Sequence, residues 1–258
     1  MSELDIVGKS YPQIDGMQKA MGKTKFVTDL VLPGMLYGRT LRSPYPHAKI
    51  NNIDASRAKA LAGVKAVVTY ADTPGIKFGP RSEDWTIFAG DKARFHGDEV
   101  AAVAAIDEDT AEEALELIEV EYEELPFVTD PLEAMQPGAP LVHDDKPANI
   151  AAEFKVEAGD VDRALDDSHI IYEDRYYTNQ VYQAYMEPMA ALADVDPSGR
   201  ITMWTGTQIP NMMRMTYAKA LDISPDNIRV IVPDYGGGFG GKMENNIHLV
   251  AADFVKKA

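Results

Sequence analysis

The run Gly236-Gly237-Gly238-Phe239-Gly240-Gly241-Lys242 constrains this chain more than any other segment. Glycine tolerates left-handed backbone and, lacking a Cβ, lets main-chain N–H groups come close to a large anionic ligand. The β-rich stretch Ile228 to Val232 delivers the chain into the run, and a helix is expected from about Glu244 onward. Two readings stay open: a sharp strand-to-helix turn packed by glycines, or a cradle for an anionic group. The G-x-G-x-x-G frame met by Gly236, Gly238 and Gly241 does not separate them.

Two familiar nucleotide sites can be tested on the same residues. Gly236 and Gly241-Lys242 have the frame of a Walker A loop, but Met243 stands where a Ser or Thr hydroxyl must coordinate magnesium. A Rossmann site needs an acidic residue about 20 positions past the glycines, and the sequence reaches Ala258 before that point. Nucleotide binding therefore survives only as a minor alternative.

Composition removes other classes. A formal net charge of -16 argues against a nucleic-acid or anionic-membrane partner, whose affinity comes largely from Lys and Arg on phosphates. No apolar run approaches the roughly 18 residues of a membrane span, and the start at Met1 to Ser10 lacks a basic-then-apolar signal, so the expectation is cytoplasmic. With no cysteine, any iron–sulfur cluster must be carried elsewhere. His47, His96, His143, His169 and His248 show no ligand spacing, so satisfied surface or core histidines are expected.

The residue pattern predicts mixed α and β structure in two domains, 1–150 and 151–258. In the first, Met35 to Arg42 reads as extended up to Ser43-Pro44-Tyr45-Pro46, where the prolines forbid a helix. A helix follows from an Asp54 cap to Gly63, then a strand from Val64 to Tyr70. Glu99 to Ile106 is a continuous Val/Ala/Ile run suited to a buried strand, and Asp109-Thr110-Ala111-Glu112 reads as a capping box. The helix it opens has Ala111, Ala114, Leu115 and Ile118 on one face, and Val120 and Tyr122 then alternate with Glu119, Glu121 and Glu123 as a half-exposed strand. The acidic run from Glu112 to Glu124 is read as a solvated face. Pro, Gly and Asp between 131 and 150 read as a linker. Beyond it, a short helix at Gly159 to Leu165, strands at Ile170 to Thr178, Ala190 to Val195 and Ile201 to Thr205, and a helix at Asn211 to Ala220 precede the glycine run.

Gly-Gly-Gly-Phe-Gly-Gly-Lys resembles the signature of the molybdenum-binding subunit of the xanthine dehydrogenase and aldehyde oxidase family. Gly16 to Phe26, Leu41 to Ile50, Gly97 to Ala105 and Val120 to Pro126 are similar to that subunit's amino-terminal hammerhead domain. Tyr185-Met186-Glu187-Pro188 and Gly206-Thr207-Gln208-Ile209-Pro210 resemble motifs of its molybdenum-binding domain. Within the family, His143 to Pro147 is similar to 4-hydroxybenzoyl-CoA reductase subunits, and nicotinate dehydrogenase large subunits are also similar. The resemblance implies an α+β chain: a hammerhead α/β domain, then the first part of a mixed α/β molybdopterin-binding domain. It implies a molybdenum-molybdopterin cofactor in its cytosine dinucleotide form, with FAD and [2Fe-2S] on partner subunits. The activity implied is hydroxylation of an aldehyde or N-heteroaromatic carbon, or reduction of a hydroxyaromatic CoA thioester.

By the same resemblance, Gln208 brings its amide toward the molybdenum oxo ligand, and Phe239 lies beside the metal. Gly237, Gly238, Gly240 and Gly241 let the main chain reach the pterin–metal group, and Phe239, Met243 and Glu244 border the substrate channel. Glu187 is read as a buried hydrogen-bonding group that orients loops rather than an acid–base catalyst. Purine-oxidising members place a glutamate directly after the signature lysine. Met243 stands there instead, and Glu244 one residue later is turned by about 100 degrees on a helix start. The family's catalytic glutamate falls in a downstream Gly-x-Gly-Glu segment, so no catalytic residue is expected in this chain. A second molybdenum-subunit piece, an iron–sulfur subunit and an FAD subunit are the implied partners. A non-catalytic assembly subunit is the competing reading.

Overall fold

The computed structural model describes residues 5–79, 82–243 and 247–255. Its contacts divide the chain into two units, 37–184 and a second that combines 1–36 with 185–258. The expected division near 150 falls inside the first of these.

Short helix α1 (Gly16–Ala20) precedes the first unit. That unit holds two three-stranded sheets, ordered β1-β5-β3 and β4-β2-β6. Their strands are β1 (Tyr37–Arg42), β2 (Ala48–Asp54), β3 (Val64–Thr69), β4 (Lys92–Ala93), β5 (Glu99–Ala105) and β6 (Glu119–Glu124). Central β5 is buried at every position. Its run of small and β-branched side chains suits a strand covered on both faces. The covering here is found in an antiparallel sheet, with Thr40 opposite Ala102 and Val67 opposite Val103.

Helices α2 (Ser56–Ala60) and α3 (Glu108–Glu116) lie over that sheet. Ala58, Val67, Ala101, Val103, Ala114 and Ile118 form their shared core. Asp54 is the expected cap of a helix from 54 to 63, and its Oδ1 does accept the Ser56 N–H, but the residue itself closes β2 and the helix has only one turn and a half. The cap of α3 is Asp107, which accepts the Thr110 N–H at 2.7 Å, not Asp109. Asp107 has extended backbone, as an N-cap needs, whereas Asp109 is already inside the first turn. The acidic run is solvated and partly paired, with Lys49 on Glu123, Arg57 on Glu119 and Arg39 on Glu112.

Helix α4 (Pro131–Ala134) is capped by Asp130. Every residue from 151 to 184 is exposed, including α5 (Val161–Asp166), which Asp160 caps. The strand expected at Ile170 to Thr178 is not formed. A strand needs a neighbour to receive its N–H and C=O groups, and among the described residues none pairs there. The alternating apolar residues remain, with Ile170, Tyr172, Tyr176 and Tyr177 each more than three-quarters exposed.

In the second unit a mixed sheet, β7 (Ala191–Val195), β8 (Ile201–Thr205) and β9 (Ile228–Ile231), is ordered β7-β8-β9. β7 is antiparallel and β9 parallel to β8. The parallel pair needs a crossover, and α6 (Pro210–Ala220) supplies it and packs on β9. α7 (Ile247–Val255) packs on β7 and β8. Ile201, Met203, Tyr217, Leu221 and Leu249 are all but fully buried between these elements.

Candidate functional site

Strand directions bring three segments together. β8 and β9 run parallel, so both carboxyl ends lie at one sheet edge, where ligand sites of α/β sheets form. β7 runs the other way, with Ala191 opposite Thr205, so the residues just before β7 reach the same edge. The convergent segments are therefore Tyr185–Glu187, Gly206–Gln208 and Tyr235–Lys242.

The glycine run is a loop whose shape its residues dictate. Gly237 and Gly240 have φ of 92 and 90, and Phe239 itself is left-handed at φ 48. A Cβ on Gly236 would stand 2.3 Å from the Glu187 Cβ, and one on Gly238 would stand 1.7 Å from the Tyr235 hydroxyl oxygen. These two glycines permit close approach, while Gly237 and Gly240 also meet a backbone demand. Gly241 closes the turn by donating its N–H to the Gly238 carbonyl at 2.7 Å.

Gln208 is held through one end of its amide. Its Oε1 accepts the Gly240 N–H at 2.9 Å and the Lys242 N–H at 3.4 Å. Both neighbours are donors, so only the oxygen can face them and the amide NH2 must point away from the loop. The residue is exposed, and its Nε2 has no acceptor among the described residues. Main-chain bonds fix the rest: the Gln208 N–H and the Thr207 hydroxyl both donate to the Lys242 carbonyl, each at 3.1 Å.

Glu187 is buried, and its Oε2 accepts both the Gly236 N–H at 2.9 Å and the Lys242 ammonium at 2.6 Å. The ammonium also lies 4.8 Å from the Tyr185 ring centroid and 5.1 Å from that of Tyr235. Fully engaged in this way, Lys242 has no reach toward a nucleotide phosphate. The Walker A reading loses its cation as well as its hydroxyl. Burial, reinforced by the Glu187 charge, pushes the Tyr235 phenol up, and its oxygen is buried without a hydrogen-bond partner among the described residues.

The residues expected at the site thus share one edge: Gln208, Gly237, Gly238, Phe239, Gly240 and Gly241, with Met243 at the loop's end. Phe239 projects with 74% exposure and Met243 is 40% exposed. Glu244 lies outside the described residues. Tyr235 carries no functional signal in the sequence, and Lys242 and Thr207 stand there only as members of motifs, with no role of their own. Lysine seldom lies buried unless paired, and its partner is 55 positions away in sequence, a separation no local pattern reveals. The N–H groups of Gly236, Gly240, Gly241 and Lys242 are spent within the protein, so the Gln208 NH2 and the unpartnered Tyr235 hydroxyl are the side-chain donors that suit an oxygen-rich anionic group.

A cleft of about 260 Å³ lies in the other unit, lined by His47, Arg94, Phe95, His96 and Phe127 among others, and none of the expected site residues is in it.

Comparison with known proteins matches residues 21–126 to the aldehyde oxidase and xanthine dehydrogenase a/b hammerhead domain, and residues 142–257 to a molybdopterin cofactor-binding domain. The chain is 41% identical to a probable xanthine dehydrogenase subunit of Bacillus subtilis (strain 168), covering 95% of this chain and 33% of that protein. It is 37% identical to the nicotinate dehydrogenase large molybdopterin subunit of Eubacterium barkeri, covering 97% of this chain and 59% of that one. Among solved structures, a Cu,Mo-CO dehydrogenase in its carbon monoxide reduced state superposes with a TM-score of 0.87 at 33% identity, over 96% of this chain and 34% of the other. The chain spans between a third and three fifths of the length of these relatives.

Proposed function

The chain belongs to the aldehyde oxidase and xanthine dehydrogenase family, and on that premise we propose that it supplies one part of a molybdenum-pterin site to an oxidoreductase. The reaction proposed is hydroxylation of an aldehyde or N-heteroaromatic carbon, or reduction of a hydroxyaromatic CoA thioester. The single observation that carries it is Gln208, whose oxygen is consumed by two loop N–H groups and whose NH2 is left to face an anionic group.

The donor set fits that cofactor. When bound, the molybdenum centre supplies the redox change and the oxygen chemistry, which no side chain here can provide. Gln208 would help hold that group with its NH2, stabilising negative charge without a proton that could be lost. Gly237, Gly238, Gly240 and Gly241 let the main chain approach the pterin–metal group, and Phe239 shields it and shapes the channel. Met243 presents a thioether where, by the resemblance, purine-oxidising members carry a carboxylate, so purine specificity is not proposed.

The cytosine dinucleotide form of the pterin, an iron–sulfur subunit and an FAD subunit complete the proposal, in a cytoplasmic enzyme. Within the described residues no helix is long and apolar enough to cross a membrane. The catalytic base is assigned to polypeptide outside this chain's residues, and the exposed apolar segment at 170–182 offers a surface for such polypeptide. We place the division between the two family regions near residue 150.

The test is the molybdenum and pterin content of the complete protein, purified with its partner chains. Near-stoichiometric metal and pterin, lost on Gln208→Leu, supports the proposal. A complex that assembles without either makes the chain an assembly subunit. Binding of ATP or NAD at millimolar concentration would support the nucleotide alternative.

A further inference from the structure

The glycine loop is fastened at both ends by one buried carboxylate. Oε2 of Glu187 takes the N–H of Gly236, the loop's first residue, and the ammonium of Lys242, its last. The two side chains are 6% and 1% exposed. Lys242 in turn donates its backbone N–H to the Gln208 amide oxygen and accepts from Gln208 N and Thr207 Oγ1 through its carbonyl. Moving Lys242 therefore moves two bonds to Gln208 and one to its neighbour Thr207.

A buried ion pair is a poor device for stability alone. Desolvation cancels much of its attraction, and apolar residues of similar volume often do as well. It does fix geometry, because a single oxygen shared by an ammonium and an N–H tolerates little displacement. Tyr185 and Tyr235 face the ammonium with their rings, which helps hold it in place.

We propose that the Glu187–Lys242 pair is a clasp that positions the Gln208 NH2 and the glycine-loop main chain for the molybdenum-pterin cofactor, so that both are positioning residues and not merely stabilisers of the fold. This rests on the function proposed above.

The experiment compares Glu187→Gln, Lys242→Met and the double variant in the complete protein with its partner chains, produced in a host that makes the pterin cofactor. Thermal melting, molybdenum by mass spectrometry, pterin by fluorescence, and the electron paramagnetic resonance spectrum after dithionite reduction are measured for each. Glu187→Gln keeps an acceptor for the Gly236 N–H and the ammonium but leaves the buried Lys242 charge unneutralised, so it lowers the melting temperature. Lys242→Met strands a buried carboxylate and lowers the melting temperature, and the double variant, with no buried charge left, regains most of the loss. The expected result is that all three lose molybdenum and pterin together, roughly tenfold or more, as loss of groups that orient a metal site typically does. Any metal that remains gives an altered spectrum.

Wild-type molybdenum content and spectrum in Glu187→Gln, or in a double variant that has regained its melting temperature, overturns the clasp while leaving the function intact. A wild-type protein that itself carries no molybdenum overturns the function and the clasp with it.

Discussion

Gly236→Ala offers the sharpest test of the loop's construction. The added Cβ would lie 2.3 Å from the Glu187 Cβ and 3.4 Å from its Cα, atoms that cannot swing aside as a side-chain tip can. Relief requires the loop and the Tyr185–Glu187 segment to part by about 1 Å, since carbon atoms rest roughly 3.5 Å apart or more. Overpacking of that kind costs about 1–3 kcal/mol. The same movement stretches the Gly236 N–H to Glu187 bond, now 2.9 Å, and a hydrogen bond to a charged group contributes about 1.5–3 kcal/mol. The sum is about 2.5–6 kcal/mol, a large share of a typical total of about 5–15 kcal/mol, and corresponds to a fall in melting temperature of roughly 10 °C. Gly240→Ala is the control. It has nothing within 4 Å of its Cβ, so only its φ of 90 opposes the change, at a cost of about 1–2 kcal/mol. Calorimetry of the complete protein gives the order wild type, Gly240→Ala, Gly236→Ala. A Gly236→Ala protein that melts as high as Gly240→Ala refutes the close-packed contact and, with it, the role of Glu187 as the loop's anchor.

Gln208→Glu keeps an oxygen for the Gly240 and Lys242 N–H groups but replaces the NH2 with an acceptor, so stability changes little while activity falls about 100-fold or more. A variant of near wild-type rate would show that the amide NH2 is not used. Asp98 titrates at about 6, raised mainly by burial, so the folded protein holds its proton more tightly than the unfolded chain, and stability declines as pH rises from about 4 to about 6. Asp98→Asn, which can still accept the Arg94 N–H, gains roughly 2 kcal/mol above pH 7 and nothing near pH 4; equal gains at both values in urea unfolding argue against a proton-linked origin. In the complete protein, amides from 170 to 182 exchange slowly with deuterium because further polypeptide covers Ile170, Tyr172, Tyr176 and Tyr177; exchange at unprotected rates removes that docking proposal.

Elements with a strong local signature are legible in the sequence. The buried run of β5, the alternation of β6 and the Pro210 start of α6 emerge within a residue or two of their observed bounds. Asp109 passes for the cap of α3 because Glu112 stands three residues on, the capping-box spacing, whereas Asp107 has Thr110 there and is marked as the cap by its extended backbone. At 170–178 the alternation is present in the sequence, but a strand also needs a neighbour, and periodicity carries no information about who that neighbour is.

The site divides along the same line. Its glycines announce themselves because their conformational demand is local, and two of them do adopt left-handed backbone. The reason Gly236 and Gly238 must be glycine is only partly local: one meets Glu187, and the other meets Gln208 as well as nearby Tyr235. Gln208 and Lys242 are 34 residues apart, and Glu187 and Lys242 are 55 apart, joined only because β7 runs against β8 while β9 runs with it. Strand direction thus decides which three segments share an edge. It follows that Gln208 cannot be understood as an isolated functional side chain. Its useful end is the one that makes no bond within the loop, and it is free for that role because the backbone N–H groups of Gly240 and Lys242 have already claimed the other.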